Sequence, residues 1–107
     1  MAVRTSEEIK EIVHKYSLIL LKAGLPLDKV ILFGSYSRNE QKENSDIDIA
    51  VILKKYSNDR FTTRLELMKL SRDFEEVIEA HPFLSADLNN SNPFITEILK
   101  EGIEIQS

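Results

Sequence analysis

Two apolar segments joined by a polar loop constrain this 107-residue chain more than any other feature. The first runs from Val30 to Phe33, and the second runs from Asp46 to Leu53. Side chains alternate across a strand, so Asp46 and Asp48 project from one face while the aliphatic residues project into a core. Two neighbouring carboxylates on an apolar strand repel each other, and a divalent cation is the usual compensation. The second segment is therefore predicted to be a metal-binding strand.

The Gly34-Ser35 pair lies where the first strand, predicted from Lys29, turns into a short helix predicted over 35–41. Glycine allows a tight turn and the close approach of a ligand. Such a turn at a helix start presents backbone N–H groups to an anion. Ser35 alone could be only an N-cap, and the turn is not a Walker A loop, because G-x-x-x-x-G-K is absent. A metal site beside a phosphate cradle indicates nucleotide chemistry.

These residues resemble a known signature. Gly34, Ser35, Arg38 and the S-D-I-D run over 45–48 are similar to the two-part G-S-x-x-R and S-D-x-D pattern of the DNA polymerase beta-like nucleotidyltransferase superfamily. The short chain resembles the minimal nucleotidyltransferase branch, whose members are often partners of HEPN-domain proteins. The chain departs from the pattern at Asn39, where the family often has Gly; Asn tolerates left-handed conformations better than most residues.

The resemblance implies a role for each site residue. Asp46 and Asp48 would bridge two Mg²⁺ ions, and Asp87, taken as the third acidic residue of the family, would ligate the catalytic ion from the next strand. The Gly-Ser pair would hold the terminal phosphates of the nucleotide. Arg38 either contacts phosphate or braces the loop. Such ions hold the attacking and leaving oxygens in line during nucleotidyl transfer.

The remaining pattern predicts one domain over residues 1–107, of α/β (α+β) class, with a small mixed sheet and helices mainly on one face. An amphipathic helix from a cap at Ser6 to Ala23 is expected first, with Leu18 and Leu21 either buried or on a partner surface. A long helix is predicted over 59–80, where His81-Pro82 breaks it. Its core-facing side chains are expected to be Phe61, Leu65, Met68, Phe74, Val77 and Ile78.

The last part of the chain is expected to supply the third strand and the remaining carboxylate. This strand is predicted over 83–88 and carries Asp87. A helix from Pro93 to about Lys100 and a short edge strand over 103–105 follow. The carboxylates are expected to lie on the sheet face that the helices leave open.

The composition and charge of the chain limit the kinds of partner and compartment that are expected. The formal net charge is −4 and the pI about 5.2, so nucleic acid is not favoured. The chain has no cysteine, which excludes disulfides and thiolate metal sites and fits a cytoplasmic protein. No apolar run approaches membrane-spanning length, and the N-terminus lacks a signal-peptide core. The sequence does not specify an oligomeric state, and a homo-oligomer is compatible with it.

Three functional hypotheses follow. The leading one, from the resemblance, is a Mg²⁺-dependent enzyme that transfers NMP, most readily AMP from ATP, to an acceptor hydroxyl with release of pyrophosphate. Under this hypothesis the chain is an antitoxin that adenylylates a HEPN toxin. A chain this close to a bare catalytic core has little room for an acceptor-binding domain, so a separate partner protein would supply the acceptor. The second is a non-catalytic subunit that neutralises a partner by contact, and the third is a metal- or nucleotide-binding regulator. The intact Asp46, Asp48 and Asp87 set and the Gly-Ser pair favour the enzyme.

Overall fold

The computed structural model describes residues 5–34, 46–56, 58–74, 78–88 and 92–105. The described elements, in chain order, are α1 (Ser6–Lys22), β1 (Leu27–Phe33), β2 (Ile47–Leu53), α2 (Arg60–Phe74), β3 (Ile78–Leu84), a short 3₁₀ helix (Ser85–Leu88), α3 (Pro93–Glu101) and β4 (Ile103–Ile105). The predicted helix over 35–41 lies outside the described residues. None of the described helices combines the length and apolar character needed to cross a membrane.

The described strands form one mixed sheet in the order β3-β2-β1-β4. β1 is antiparallel to β2 and to β4, whereas β2 and β3 are parallel. Parallel neighbours need a crossover connection, and α2 lies in the segment that joins β2 to β3. β2 has a neighbour on each side and is buried along nearly its whole length. It is one of the two inner strands of the described sheet and carries Asp48, and the predicted fold class is confirmed.

The N-cap of α1 lies one residue earlier than the sequence indicated. Thr5, not Ser6, is the N-cap: its Oγ1 accepts from the Glu8 backbone N–H at 3.1 Å, and the Glu8 carboxylate accepts from the Thr5 N–H at 3.1 Å. This reciprocal pair satisfies N–H groups that have no partner within the helix. Gly24, at φ +88°, follows the helix end.

Both faces of the sheet are covered, but unequally. The helices α1 and α2 pack on one face, and the shorter α3 packs on part of the other. The hydroxyl of Tyr16 on α1 donates to the Leu67 carbonyl on α2 at 2.8 Å, and burial raises the pKa of Tyr16. Ile95 and Ile98 of α3 pack against Ala50 on the opposite face. Two of the three described helices therefore share one face, as predicted.

The predicted boundary between the second helix and the third strand is wrong. The described helix ends at Phe74, and Ile78–Leu84 is a strand that pairs with β2 along its whole length. His81 and Pro82 lie inside this strand and do not terminate a helix. A proline is tolerated there because β3 is at the edge of the described sheet, where a missing N–H leaves no ladder bond unmade.

The predicted buried face of α2 is wrong for three of its four described residues, whereas the fourth, Phe74, is partly buried and packs against the core. Phe61, Leu65 and Met68 were expected in the core, but they are 71%, 49% and 41% exposed. The side chains that face the sheet are instead Thr63, Leu67 and Ser71. Two of these are small, and the Ser71 hydroxyl meets its own hydrogen-bonding need by donating to the Met68 carbonyl at 2.9 Å.

On α1, Leu18 and Leu21 are likewise exposed, at 47% and 44%, so burial, the first of the two alternatives for them, is wrong. The apolar stripe of α1 is therefore wider than the face that packs on the sheet. Isolated exposed leucines are common on proteins and do not by themselves mark an interface.

Candidate active site

Strand pairing places three polar side chains together on the sheet face that α3 only partly covers. Asp48 on β2 is the register partner of Phe33 on β1 and of Glu79 on β3. Ala50, two residues beyond Asp48, packs in the α3-side core, so Asp48 projects toward the same face. His81 lies two residues beyond Glu79 and shares that face.

The three side chains are close enough to share one cation. The Nε2 atom of His81 lies 3.8 Å from Asp48 Oδ1 and 4.0 Å from Glu79 Oε2. One ligand atom from each residue lies within 4.8 Å of the other two. Asp48 and His81 are 28% and 22% exposed, whereas Glu79 is 55% exposed. Carboxylate oxygens and imidazole nitrogen are common ligands of divalent cations, so this group of three side chains fits a metal ion.

Gly34 packs directly against the Asp48 carboxylate. Its φ is +76°, a conformation that side-chain-bearing residues rarely adopt. A Cβ built on Gly34 would lie 2.5 Å from Asp48 Oδ2, well inside van der Waals contact. The glycine of the Gly-Ser turn is therefore required twice, for its backbone angle and for the space beside the carboxylate.

Aromatic rings line one side of the site. The ring of Phe33 lies 5.5 Å from the His81 imidazole, centroid to centroid, at an interplanar angle of 57°. Phe94, in the first turn of α3, meets Phe33 edge-on at 5.7 Å and lies 6.0 Å from Phe83. Tilted and edge-on arrangements are favourable for aromatic pairs. The Phe33 ring restricts the orientation of the imidazole, and Phe94 packs behind Phe33.

The predicted site residues meet different outcomes. Asp46 immediately precedes β2, is exposed, and lies two residues from Asp48. Strand alternation would give both the same direction, although the group of three close ligands does not include Asp46. Ser35 and Arg38, predicted to bind nucleotide, lie outside the described residues.

The structure does not bring Asp87 to the other carboxylates. Asp87 lies in the 3₁₀ helix after β3 and not on a strand, which corrects the predicted element. Asp48 pairs with Glu79 near one end of the parallel strands, whereas Leu53 pairs with Leu84 at the other end. Five residues of strand span about 16 Å, so Asp87 lies toward the opposite end of the sheet.

The Asp87 carboxylate acts on a different group. Burial raises the pKa of Tyr56, the Arg60 guanidinium opposes this, and the Asp87 carboxylate adds to the rise. Asp87 therefore belongs to the surroundings of Tyr56. The carboxylate that pairs with Asp48 is Glu79, which sequence reasoning missed because it lay inside the predicted long helix. A usable signal was present: the I-E-A-H run over 78–81 alternates apolar and polar residues, as the I-D-I-A run of β2 begins to do.

The chain is similar to known proteins over the candidate site and over most of its remaining length. Residues 7–107 match the family described as polymerase beta, nucleotidyltransferase. A Methanocaldococcus jannaschii protein named "Putative protein adenylyltransferase MJ1379" is 34% identical over 101 residues, which cover 94% of this chain and 97% of that protein. Its relative named "Putative protein adenylyltransferase MJ0141" is 45% identical over 102 residues, covering 92% and 96%. A toxin–antitoxin crystal structure with AMP-PNP superposes with a TM-score of 0.64 at 25% identity, covering 92% of this chain and 73% of that one.

Proposed function

The chain belongs to the polymerase beta nucleotidyltransferase family, and we propose that within it the chain is a Mg²⁺-dependent adenylyltransferase that moves AMP from ATP to a hydroxyl group of a partner protein. The observation that carries this proposal is the packing of Gly34 against Asp48, together with the register pairing of Asp48 with Glu79. It joins the Gly-Ser turn to two carboxylates that face each other across parallel strands. This arrangement supports a single site in which the Gly-Ser turn would bind phosphate and the carboxylates would bind metal.

Each residue of the site has a defined task in this proposal. Asp46, Asp48 and Glu79 hold divalent cations, and Glu79 replaces Asp87 as the third carboxylate. Bound cations would neutralise charge on the phosphate oxygens and hold the attacking and leaving oxygens. Gly34 fixes the Asp48 carboxylate beside the turn, where Ser35 and the backbone N–H groups would hold the β- and γ-phosphates.

Arg38 lies in the same turn segment, four residues after Gly34. A guanidinium offers several donors in a planar fork that matches phosphate oxygens, so Arg38 is assigned to the triphosphate. Transfer then forms a bond between the acceptor oxygen and the α-phosphorus, breaks the bond from the α-phosphorus to the leaving pyrophosphate, and releases the hydroxyl proton to solvent.

The acceptor is proposed to be a hydroxyl of a separate helical protein of the HEPN type. The relatives' names specify protein adenylyltransferases, and a similar fold occurs in a toxin–antitoxin assembly with AMP-PNP. Those names support a protein acceptor, and the antitoxin role follows by analogy with the assembly.

The test has two steps. Calorimetric titration with ATP, with and without Mg²⁺, is expected to show binding that needs the metal and is lost in Asp48→Asn. Label from α-³²P-ATP is then expected to appear on a purified HEPN-type protein mixed with the wild type, and not with Asp48→Asn. Complex formation without any label transfer, by a folded wild-type chain, would overturn the enzyme and support the contact-only alternative.

A further inference from the structure

We infer that His81 is itself a metal ligand, and that its nitrogen makes the Asp48, Glu79 and His81 site prefer first-row transition ions such as Co²⁺ or Zn²⁺ over Mg²⁺. The inference rests on the proposed function in placing a cation at Asp48 and Glu79. It goes further by adding a ligand of a different chemical type, one that changes which cation the site selects.

The geometry of the described side chains supports a shared ion. Metal–oxygen and metal–nitrogen bonds of about 2.1 Å place ligand atoms about 3.0 Å apart when adjacent in an octahedron and about 4.2 Å apart when opposite. The His81 Nε2 atom lies 3.8 Å from Asp48 Oδ1 and 4.0 Å from Glu79 Oε2, within that interval. The third pair, from Asp48 and Glu79, lies within 4.8 Å, so the three ligand atoms need only approach one another slightly to share one cation.

The His81 imidazole is mostly buried and is held with one nitrogen toward the two carboxylates. His81 is 22% exposed, and its ring rests against Phe33 at 5.5 Å. The Nε2 atom is the one that faces the two carboxylates. A ligand whose orientation is set by packing loses little conformational freedom when it binds a metal.

The donor types decide the selectivity. Mg²⁺ takes oxygen ligands almost exclusively and keeps several waters, whereas imidazole nitrogen suits Zn²⁺ and other later transition ions. Affinity at such a site also rises from Mn²⁺ toward Co²⁺ and beyond. A site of carboxylates alone would lack the nitrogen ligand, and with it the first of these two reasons for preferring transition ions over Mg²⁺.

The chain permits a direct spectroscopic test because it contains two histidines, His14 and His81. His14 lies on α1, beside Glu7, Glu11 and Ile103, away from the site. In tag-free His14→Gln protein, every imidazole signal must come from His81. Co²⁺ is added at pH 7.5, and the proton spectrum is searched for one hyperfine-shifted, exchangeable N–H resonance, from Nδ1 of a ring bound through Nε2.

The expected result is that resonance in His14→Gln and its loss in the His14→Gln/His81→Phe double variant. Phenylalanine keeps a ring against Phe33 but offers no nitrogen, and circular dichroism checks that the variant folds. Calorimetry is expected to show at least a tenfold loss of Co²⁺ affinity on His81→Phe, since removing even residues that only orient ligands costs roughly 10–100-fold. Mg²⁺ affinity is expected to change by less than about threefold, because Mg²⁺ does not depend on nitrogen.

Co²⁺ binding without the shifted resonance, or equal losses of Co²⁺ and Mg²⁺ affinity on His81→Phe, would overturn the inference. Either result leaves the proposed function intact if AMP transfer persists and depends on Asp48. Conversely, the resonance together with absent transfer would support the nitrogen ligand while contradicting the adenylyltransferase. The two hypotheses therefore fail in different measurements.

Discussion

At the scale of single residues, the site is organised around the Asp48 carboxylate. Glu79 and Phe33 are its register partners on the two neighbouring strands, Gly34 packs on one of its oxygens, and His81 approaches the other. A carboxylate with this many close neighbours cannot move far without a rearrangement of the turn. Substitutions around it should therefore affect ligand binding more than folding.

Separate substitutions of Glu79 and Asp87, the two candidates for the third carboxylate, distinguish their roles. Glu79→Gln is expected to lower AMP transfer and Mg²⁺-dependent ATP binding by at least tenfold, because it removes a ligand charge beside Asp48. Asp87→Asn, at the other end of the sheet, is expected to leave both within about twofold. The reverse order of effects, measured with variants of equal stability, would reinstate Asp87.

Two glycines with positive φ provide a matched pair for the turn. Gly34→Ala and Gly24→Ala should both lower the free energy of unfolding by about 1–2 kcal/mol, from backbone strain. A Cβ on Gly24 meets nothing within 4 Å, whereas one on Gly34 collides with the Asp48 carboxylate. Only Gly34→Ala is therefore expected to abolish Mg²⁺-dependent ATP binding by calorimetry. Equal binding by the two variants would show that the Gly34 contact has no functional role.

At the scale of elements, the parallel pair β2 and β3 assembles the site, and α2 supplies the crossover between them. The helix faces the sheet through Leu67 and the small residues Thr63 and Ser71, so its backbone lies close to the strands. Phe61, Leu65 and Met68, which periodicity alone assigned to the core, are exposed instead. The Tyr16 hydrogen bond to the Leu67 carbonyl is consistent with this orientation.

The orientation of α2 can be tested with two leucines of the same helix. Leu67→Ala is expected to lower the free energy of unfolding by about 2–5 kcal/mol, because Leu67 is fully buried. Leu65→Ala should cost less than about 1 kcal/mol, since half of that side chain is exposed. Urea denaturation measures both, and comparable losses would mean that the helix buries the face predicted from periodicity.

At the scale of the whole molecule, two helices cover one face of the sheet and a shorter helix covers part of the other. The acidic end of that second face is left partly accessible, since Asp48 is 28% and Glu79 is 55% exposed, and the chain as a whole carries a formal charge of −4. Neighbouring carboxylates at an accessible site repel each other in the absence of a cation. Binding of a cation should therefore be linked to stability of the entire domain.

Divalent cations are accordingly expected to raise the melting temperature. A ligand at 100 times its dissociation constant stabilises the folded state by about 2.7 kcal/mol. The shift measured by scanning calorimetry should disappear with EDTA and be largely absent in Glu79→Gln. It should persist in Asp87→Asn, and an equal shift in all of these proteins would indicate cation binding elsewhere.

The sequence by itself determined the elements around 30–53, because their signals are local. An apolar strand, a Gly-Ser turn and the alternation of Asp46 and Asp48 with aliphatic residues can be read within a few positions, and together they identified the family. The capped first helix and the helix after Pro93 have equally local signals in their end residues. The described part of these elements agrees with the prediction, to within one or two residues at most ends.

Only the tertiary structure decided which carboxylate lies beside Asp48. Glu79 meets Asp48 because β3 pairs with β2 in one particular register, and pairing across about 30 residues leaves no mark on local periodicity. The same holds for the buried face of α2, where close packing favoured Thr63 and Ser71 over larger apolar residues. Local patterns specify what an element is, whereas the neighbour against which it packs specifies which of its side chains act.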